Sequence, residues 1–222
     1  MVTAMIISEG RNYVFVHIPK TGGTSMAQAL EARAMADDIL IGDTPKAVRR
    51  RGRLKQLQPR GRLWKHSTLA DIDGILTPDK IARMFTFTLV RNPWDRVVSY
   101  YHWLRAQDFD HVAVMLAKRR DFAEFLFEPQ ILGSLRGSPA RSYMTDTTGV
   151  ERASAYLRLE HLAEDMAPLE EHLGFAPELP HENSSDRGVD YRSYYDERLA
   201  AHLASICAED IARFGYTFDP QD

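Results

Sequence analysis

A chain of 222 residues with 44% hydrophobic and 27% charged side chains has the composition of a globular protein and the length of one α/β domain with a sizeable core. Its 28 Lys and Arg against 31 Asp and Glu give a net charge of −3, which excludes a whole-molecule binder of polyanions. The single cysteine, Cys207, excludes an internal disulfide and any cysteine-based metal cluster, and it fits a reducing, cytoplasmic setting. The apolar run Val2 to Ile7 is short for a signal peptide and far too short for a membrane span, so a soluble chain is expected.

Tyr13 to Ile18 is a short β-rich run ending at Pro19 and reads as a buried strand. A glycine-containing turn follows, then a helix from Thr24-Ser25 to about Ala36, with those hydroxyls as caps. Residues 44–65 hold nine Lys or Arg and no acid; removing them from the total of −3 leaves −12 on the rest. This segment is expected to be a mobile basic surface loop. Phe85 to Val90 alternates as a second strand, cut by Arg91-Asn92-Pro93, and Pro93 suits the first turn of a helix. That helix carries Trp94, Val97, Val98, Tyr101 and Leu104 at helical spacing and should pack on the sheet. Short helices fill 108–150. A third strand falls at 155–159, a helix runs to Leu173 with Gly174 as its stop, and a final helix spans about Asp196 to Phe214. Strand–helix alternation predicts a single α/β domain over 1–222, with a central parallel sheet flanked by helices.

Two strand-to-helix junctions carry the chemistry. In His17-Ile18-Pro19-Lys20-Thr21-Gly22-Gly23-Thr24-Ser25, two glycines let backbone N–H groups close on an anion. The helix that follows adds the positive end of its dipole, Thr24 and Ser25 add hydroxyls, and Lys20 adds a full charge. The order differs from the ATPase phosphate loop, where the lysine follows the second glycine; this turn is only P-loop-like. His17, at a strand end, reads as a packed structural histidine. In Arg91 to Tyr101, Arg91 can grip a phosphate bidentately and Ser99, two helical turns on, can add a hydroxyl. Arg96 reads as an ion-pair partner of Asp95. A magnesium-dependent nucleotidase or small-molecule kinase would end this strand in an acid, and this one ends in Arg91. Two anion sites without a metal carboxylate suit a nucleotide with phosphates at both ends.

His17 to Ser25 resembles the 5′-phosphosulfate loop of sulfotransferases that use 3′-phosphoadenosine-5′-phosphosulfate (PAPS), and Arg91 to Tyr101 resembles their 3′-phosphate motif. The form is similar to the carbohydrate branch, which includes heparan 2-O- and chondroitin-type enzymes, and to its bacterial relatives. Weaker similarity continues through Leu157 to Leu162, Asn183-Ser184-Ser185 and Ala208 to Tyr216. The resemblance implies PAPS as co-substrate without a metal, held by Lys20, Thr21, Gly22, Gly23, Thr24 and Ser25 at one end and by Arg91 and Ser99 at the other. It implies transfer of the sulfuryl group to an acceptor hydroxyl, with Lys20 stabilising the leaving phosphate.

An acceptor hydroxyl also needs a base. Of eight histidines, His66 in Trp64-Lys65-His66-Ser67-Thr68 is the expected one, in a segment between the two motifs and ahead of a helix. Lys65 beside it would disfavour the imidazolium. His181 is the second choice, and His102 reads as solvent-facing or packing. Glu160 reads as an ion-pair partner of Arg158. Tyr191, Tyr194 and Tyr195 either stack on adenine or anchor the last helix, the second use fitting better. The expected partner is a small-molecule or carbohydrate acceptor, anionic if residues 44–65 recruit it; no nucleic acid and no membrane segment are expected. A sulfotransferase fold that has lost catalysis is the alternative from another class.

Overall fold

Five strands make one sheet. In chain order the elements are β1 (Ala4–Ser8), β2 (Tyr13–Val16), α1 (Gly23–Ala32), β3 (Ile39–Gly42), α2 (Pro45–Arg50), α3 (Pro78–Ile81), β4 (Phe85–Val90) and α4 (Pro93–Arg105). There follow α5 (Val112–Arg119), α6 (Phe122–Phe127), α7 (Pro129–Arg136), α8 (Ala140–Tyr143), β5 (Ala155–Arg158), α9 (Leu162–Asp165), α10 (Ala167–Leu173), α11 (Glu197–Ile206) and α12 (Ala208–Phe214). The computed structural model describes residues 3–180 and 190–219. The chain divides into two compact units, the first of residues 1–90 and 140–182, the second of 91–139 and 183–222.

The first unit contains the whole sheet, in the order β3-β1-β2-β4-β5. The α/β class is as expected, but the sheet is mixed. β2, β4 and β5 run parallel, while β1 is antiparallel to both β2 and β3. The antiparallel pair follows from a hairpin the apolar opening run conceals: β1 joins β2 through residues 9–12, where Asn12 takes a positive φ of 55° and its N–H returns to the Glu9 carbonyl at 3.2 Å. Alternation along each strand feeds two cores. Ala4, Ile6, Tyr13, Phe15, Phe87, Leu89 and Leu157 pack with Met26, Ala27 and Leu30 of α1 and Leu169 of α10. Met5, Ile7, Val14, Val16 and Ile41 pack instead with Leu69, Ile72, Leu76, Ile81 and Met144. Both faces are covered, which is why the strands read as continuous apolar runs.

Residues 44–65 are not a loose loop. Thr44 caps α2, its hydroxyl accepting the Ala47 N–H at 3.0 Å; Pro45 opens the helix, and a 3₁₀ turn over Arg51–Gln56 continues it. Several of the cations close off the end of α1 and the turn after it. Lys46 donates to the Glu31 carbonyl, Arg53 to that of Ala36, and Arg50 to those of Met35 and Asp38 at 2.8 and 3.2 Å. Carbonyls left over at a helix C-terminus attract cations for this reason.

The second unit is helical. Asn92 caps α4 by accepting the Trp94 N–H at 3.1 Å, and Pro93 takes the first turn as expected. Its apolar face packs within its own unit: Tyr101 meets Phe122 and Phe125 with ring centroids 5.4 and 5.1 Å apart, and Trp94 donates its indole N–H to the Ala200 carbonyl at 3.0 Å. The expected final helix is two, α11 and α12, which break at Cys207. Tyr195 donates its hydroxyl to the Trp94 carbonyl at 2.9 Å and Tyr191 to that of Phe218 at 2.5 Å, so both anchor this region.

Candidate active site

The turn after β2 starts at His17, which is only 5% exposed. The backbone then enters the left-handed region at Lys20 (φ 68°) and again at Gly22 (φ 80°) before α1 begins at Gly23. Gly22 tolerates this freely, whereas for Lys20 it costs roughly 1–2 kcal/mol. Such alternation turns successive N–H groups toward one side, the geometry of an anion nest. The Thr21 hydroxyl donates to the Ile18 carbonyl at 2.9 Å, so this side chain closes the turn instead of facing a ligand. The helix is not capped by Thr24 or Ser25. Its N-cap is Gly22, which has no side chain to offer, and the two hydroxyls sit within the first turn. The leading N–H groups of α1 thus lack a side-chain cap, as an anion site requires.

Both glycines are also demanded by packing. A Cβ on Gly22 would stand 2.7 Å from Leu159 Cδ1, and one on Gly23 only 2.1 Å from His17 Cδ2. The His17 ring therefore backs the anion loop. Its Nδ1 lies 3.0 Å from the Thr3 hydroxyl. Burial first, then the charges of His66, Lys65 and Lys20, hold its pKa well below the usual histidine value. It stays neutral.

His66 stands directly against this residue. Its Nδ1 is 3.0 Å from the His17 backbone carbonyl, and the two rings lie 4.7 Å apart. A carbonyl can only accept, so Nδ1 carries the proton, and in the neutral ring Nε2 is the basic nitrogen. Lys65 pairs with Asp43, which accepts its ammonium at 2.7 Å and the Thr3 N–H at 2.7 Å. Thr3 and Asp43 were not singled out from the sequence; Thr3, just before β1, meets His17, and Asp43, just after β3, pairs with Lys65. The segment after His66 is a series of turns, and the helix expected there begins only at Pro78.

A titration follows from His17. As pH falls below about 6.5 the unfolded chain protonates this histidine and the folded one does not, so stability drops until the folded pKa is reached. The slope contributed is at most about 1.4 kcal/mol per pH unit. His17→Asn, which keeps a partner for Thr3 but cannot titrate, flattens urea-denaturation stability between pH 6.5 and 4.5 relative to wild type. An unchanged slope would refute the buried neutral state. Asp43 and Asp146 are held below their usual range by hydrogen bonds and act only at lower pH.

In the second unit, Arg91 follows β4 directly. Its Nε and Nη2 both reach Asp95 Oδ2, at 2.8 and 2.5 Å. Asp95 thus pairs with Arg91, and the edge expected to grip a phosphate already holds a carboxylate. Ser99 is buried on α4. His102 is a packing residue as expected, its Nε2 2.7 Å from the Tyr194 hydroxyl. In the first unit Arg158 is held by Asp165 at 2.8 Å, the partner role expected of Glu160. His181 and Asn183-Ser184-Ser185 lie outside the described residues.

A family model described as "Sulfotransferase family" matches residues 3–165. The chain belongs to the sulfotransferase family. Among solved structures it is similar to mouse sulfotransferase SULT7A1 complexed with PAP, at 15% identity over 90% of this chain and 82% of that one, with a TM-score of 0.46. No curated protein matches it. The family match takes in both the loop at 17–25 and His66. Among the described residues no group of three or more His, Cys, Asp or Glu could hold a metal ion, and no helix is long and apolar enough to cross a membrane.

Proposed function

We propose that this sulfotransferase takes its sulfuryl group from PAPS and delivers it to an acceptor hydroxyl by in-line displacement. The observation that carries the reading is the bond from His66 to the carbonyl of His17, because it ties a base of defined tautomer to the residue that opens the anion loop. Lys20 and the leading N–H groups of α1, with Thr24 and Ser25, hold the 5′-phosphate. Arg91 and Ser99 hold the 3′-phosphate, with Arg91 oriented by Asp95. His66 Nε2 takes the proton of the acceptor hydroxyl as its oxygen bonds to sulfur. The bond from sulfur to the 5′-phosphate oxygen breaks, and Lys20 faces the charge that grows there. The nucleotide leaves as the desulfated bisphosphate, PAP.

Nucleotide preference tests this. PAP in hundredfold excess over its Kd stabilises the fold by about 2.7 kcal/mol, which raises Tm by roughly 5–10 °C for a chain of this size. The rise needs no added metal. A thermal shift series with PAP, ATP and ATP plus magnesium decides it: a larger rise with ATP–magnesium would point to a kinase and end the sulfotransfer reading.

A further inference from the structure

Trp64 keeps 45% of its surface in solvent, whereas Trp94 is buried and Trp103 half-buried. Leaving an indole exposed forfeits a large hydrophobic stabilisation, and here the turn is built to keep it out. Ser67, fully buried, pins that turn. Its hydroxyl lies 3.0 and 2.9 Å from the carbonyls of Arg62 and Trp64 and accepts the Trp64 N–H at 2.9 Å. The indole meets the His66 ring edge to face, with centroids 4.9 Å apart at 84°. On the same turn the Arg62 guanidinium lies 5.9 Å from the Trp64 ring centroid. A flat apolar face and a cation therefore share one short turn with the imidazole.

The rest of the basic segment gives this cation its context. Lys46, Arg50 and Arg53 are spent on carbonyls, Lys65 on Asp43 and Arg60 on Asp73. Arg49, Arg51, Lys55 and Arg62 are exposed. Arg62 is the cation set against the Trp64 ring.

We propose that Trp64 and Arg62 form the acceptor subsite beside His66. The acceptor class is a hydroxyl compound with a ring that lies on the indole and an anionic group that meets the guanidinium. The proposal rests on His66 being the base.

Calorimetric titration of PAP-saturated protein tests it with two matched pairs: phenol with p-hydroxybenzenesulfonate, and methyl glucoside with methyl glucuronide. In one pair the anionic member binds about tenfold tighter than the neutral one, and the pair that responds tells an aromatic ring from a saturated one. Trp64→Ala weakens that ligand about tenfold, and Trp64→Phe restores most of the loss. Arg62→Ala erases the preference for the anion, while PAP affinity stays within about twofold in all three variants. Equal or absent binding within both pairs, or a Trp64→Ala protein that binds as wild type does, overturns the subsite. Titrating PAP by itself, and the probes without it, keeps the two readings apart. Probe binding without PAP binding defeats the transfer reading and leaves Trp64 and Arg62 as a binding site without an acceptor role; the converse defeats the subsite alone.

Discussion

Replacing His66 with alanine lowers kcat by roughly 10²–10⁴-fold and leaves PAP affinity near wild type. The direction follows from the hydrogen bond that fixes the ring. With Nδ1–H held by the His17 carbonyl at 3.0 Å, the nitrogen left to take a proton is Nε2. A base must be unprotonated to act, so wild-type turnover falls as pH drops and this acid limb disappears in His66→Ala. Added imidazole should restore part of the activity, because the variant leaves space beside His17 and Trp64 where the ring stood. The measurements are turnover of sulfur-labelled PAPS, with whichever acceptor of a panel is used, and calorimetric PAP binding. Near-normal kcat would move the base elsewhere, with His181 the next candidate. Loss of PAP binding or of folding would make His66 structural.

The strand–turn–helix at 17–25 was legible because its signals are local. Lysine, two glycines and three hydroxyls lie within six residues at a strand-to-helix junction, and no distant contact is needed to read them. Its finer roles were not. Gly23 is glycine because His17, six residues earlier, folds back against it, and Thr24 cannot cap a helix whose N-cap is Gly22. Ion pairing failed in the same way. The Arg91–Asp95 pair was not foreseen, although the two lie four apart, a spacing at which side chains meet. β1 was missed because a strand buried on both faces shows no alternation, and a six-residue apolar run carries no direction. The turn at Gly10-Arg11-Asn12 was the available sign of a hairpin. The basic segment misled because charge density says nothing of acceptors, and the carbonyls it satisfies belong to residues 31–38. Thr3 and Asp43 had no signal at all. Thr3 is 14 residues from His17, Asp43 is 22 from Lys65, and His17 is 49 from His66; only the sheet order brings these together.

Lys20 separates transition-state stabilisation from binding. Substituting it lowers kcat on the order of 10²–10³-fold, because its charge counts most when the leaving oxygen turns negative. PAP affinity falls less, by about tenfold at most, since the backbone N–H groups of the turn and of α1 remain. The left-handed backbone at Lys20 offers a control that a simple truncation lacks. Lys20→Ala keeps the unfavourable φ of 68°, whereas Lys20→Gly relieves it. Both variants should lose kcat alike, yet Lys20→Gly should be more stable than Lys20→Ala by up to about 1 kcal/mol. A fault in loop conformation would make the two differ in kcat, and a fault in charge would not. Arg91→Ala is the counterpart. It removes a charge-assisted contact worth roughly 1.5–3 kcal/mol to the nucleotide, so Kd for PAP rises by about 10–100-fold while kcat at saturation changes little. Kinetics at saturating and limiting PAPS, read beside PAP calorimetry, distinguish the patterns. If Lys20→Ala and Arg91→Ala weaken PAP equally and neither alters saturated turnover, the lysine is a second phosphate anchor and the leaving charge is met by another group.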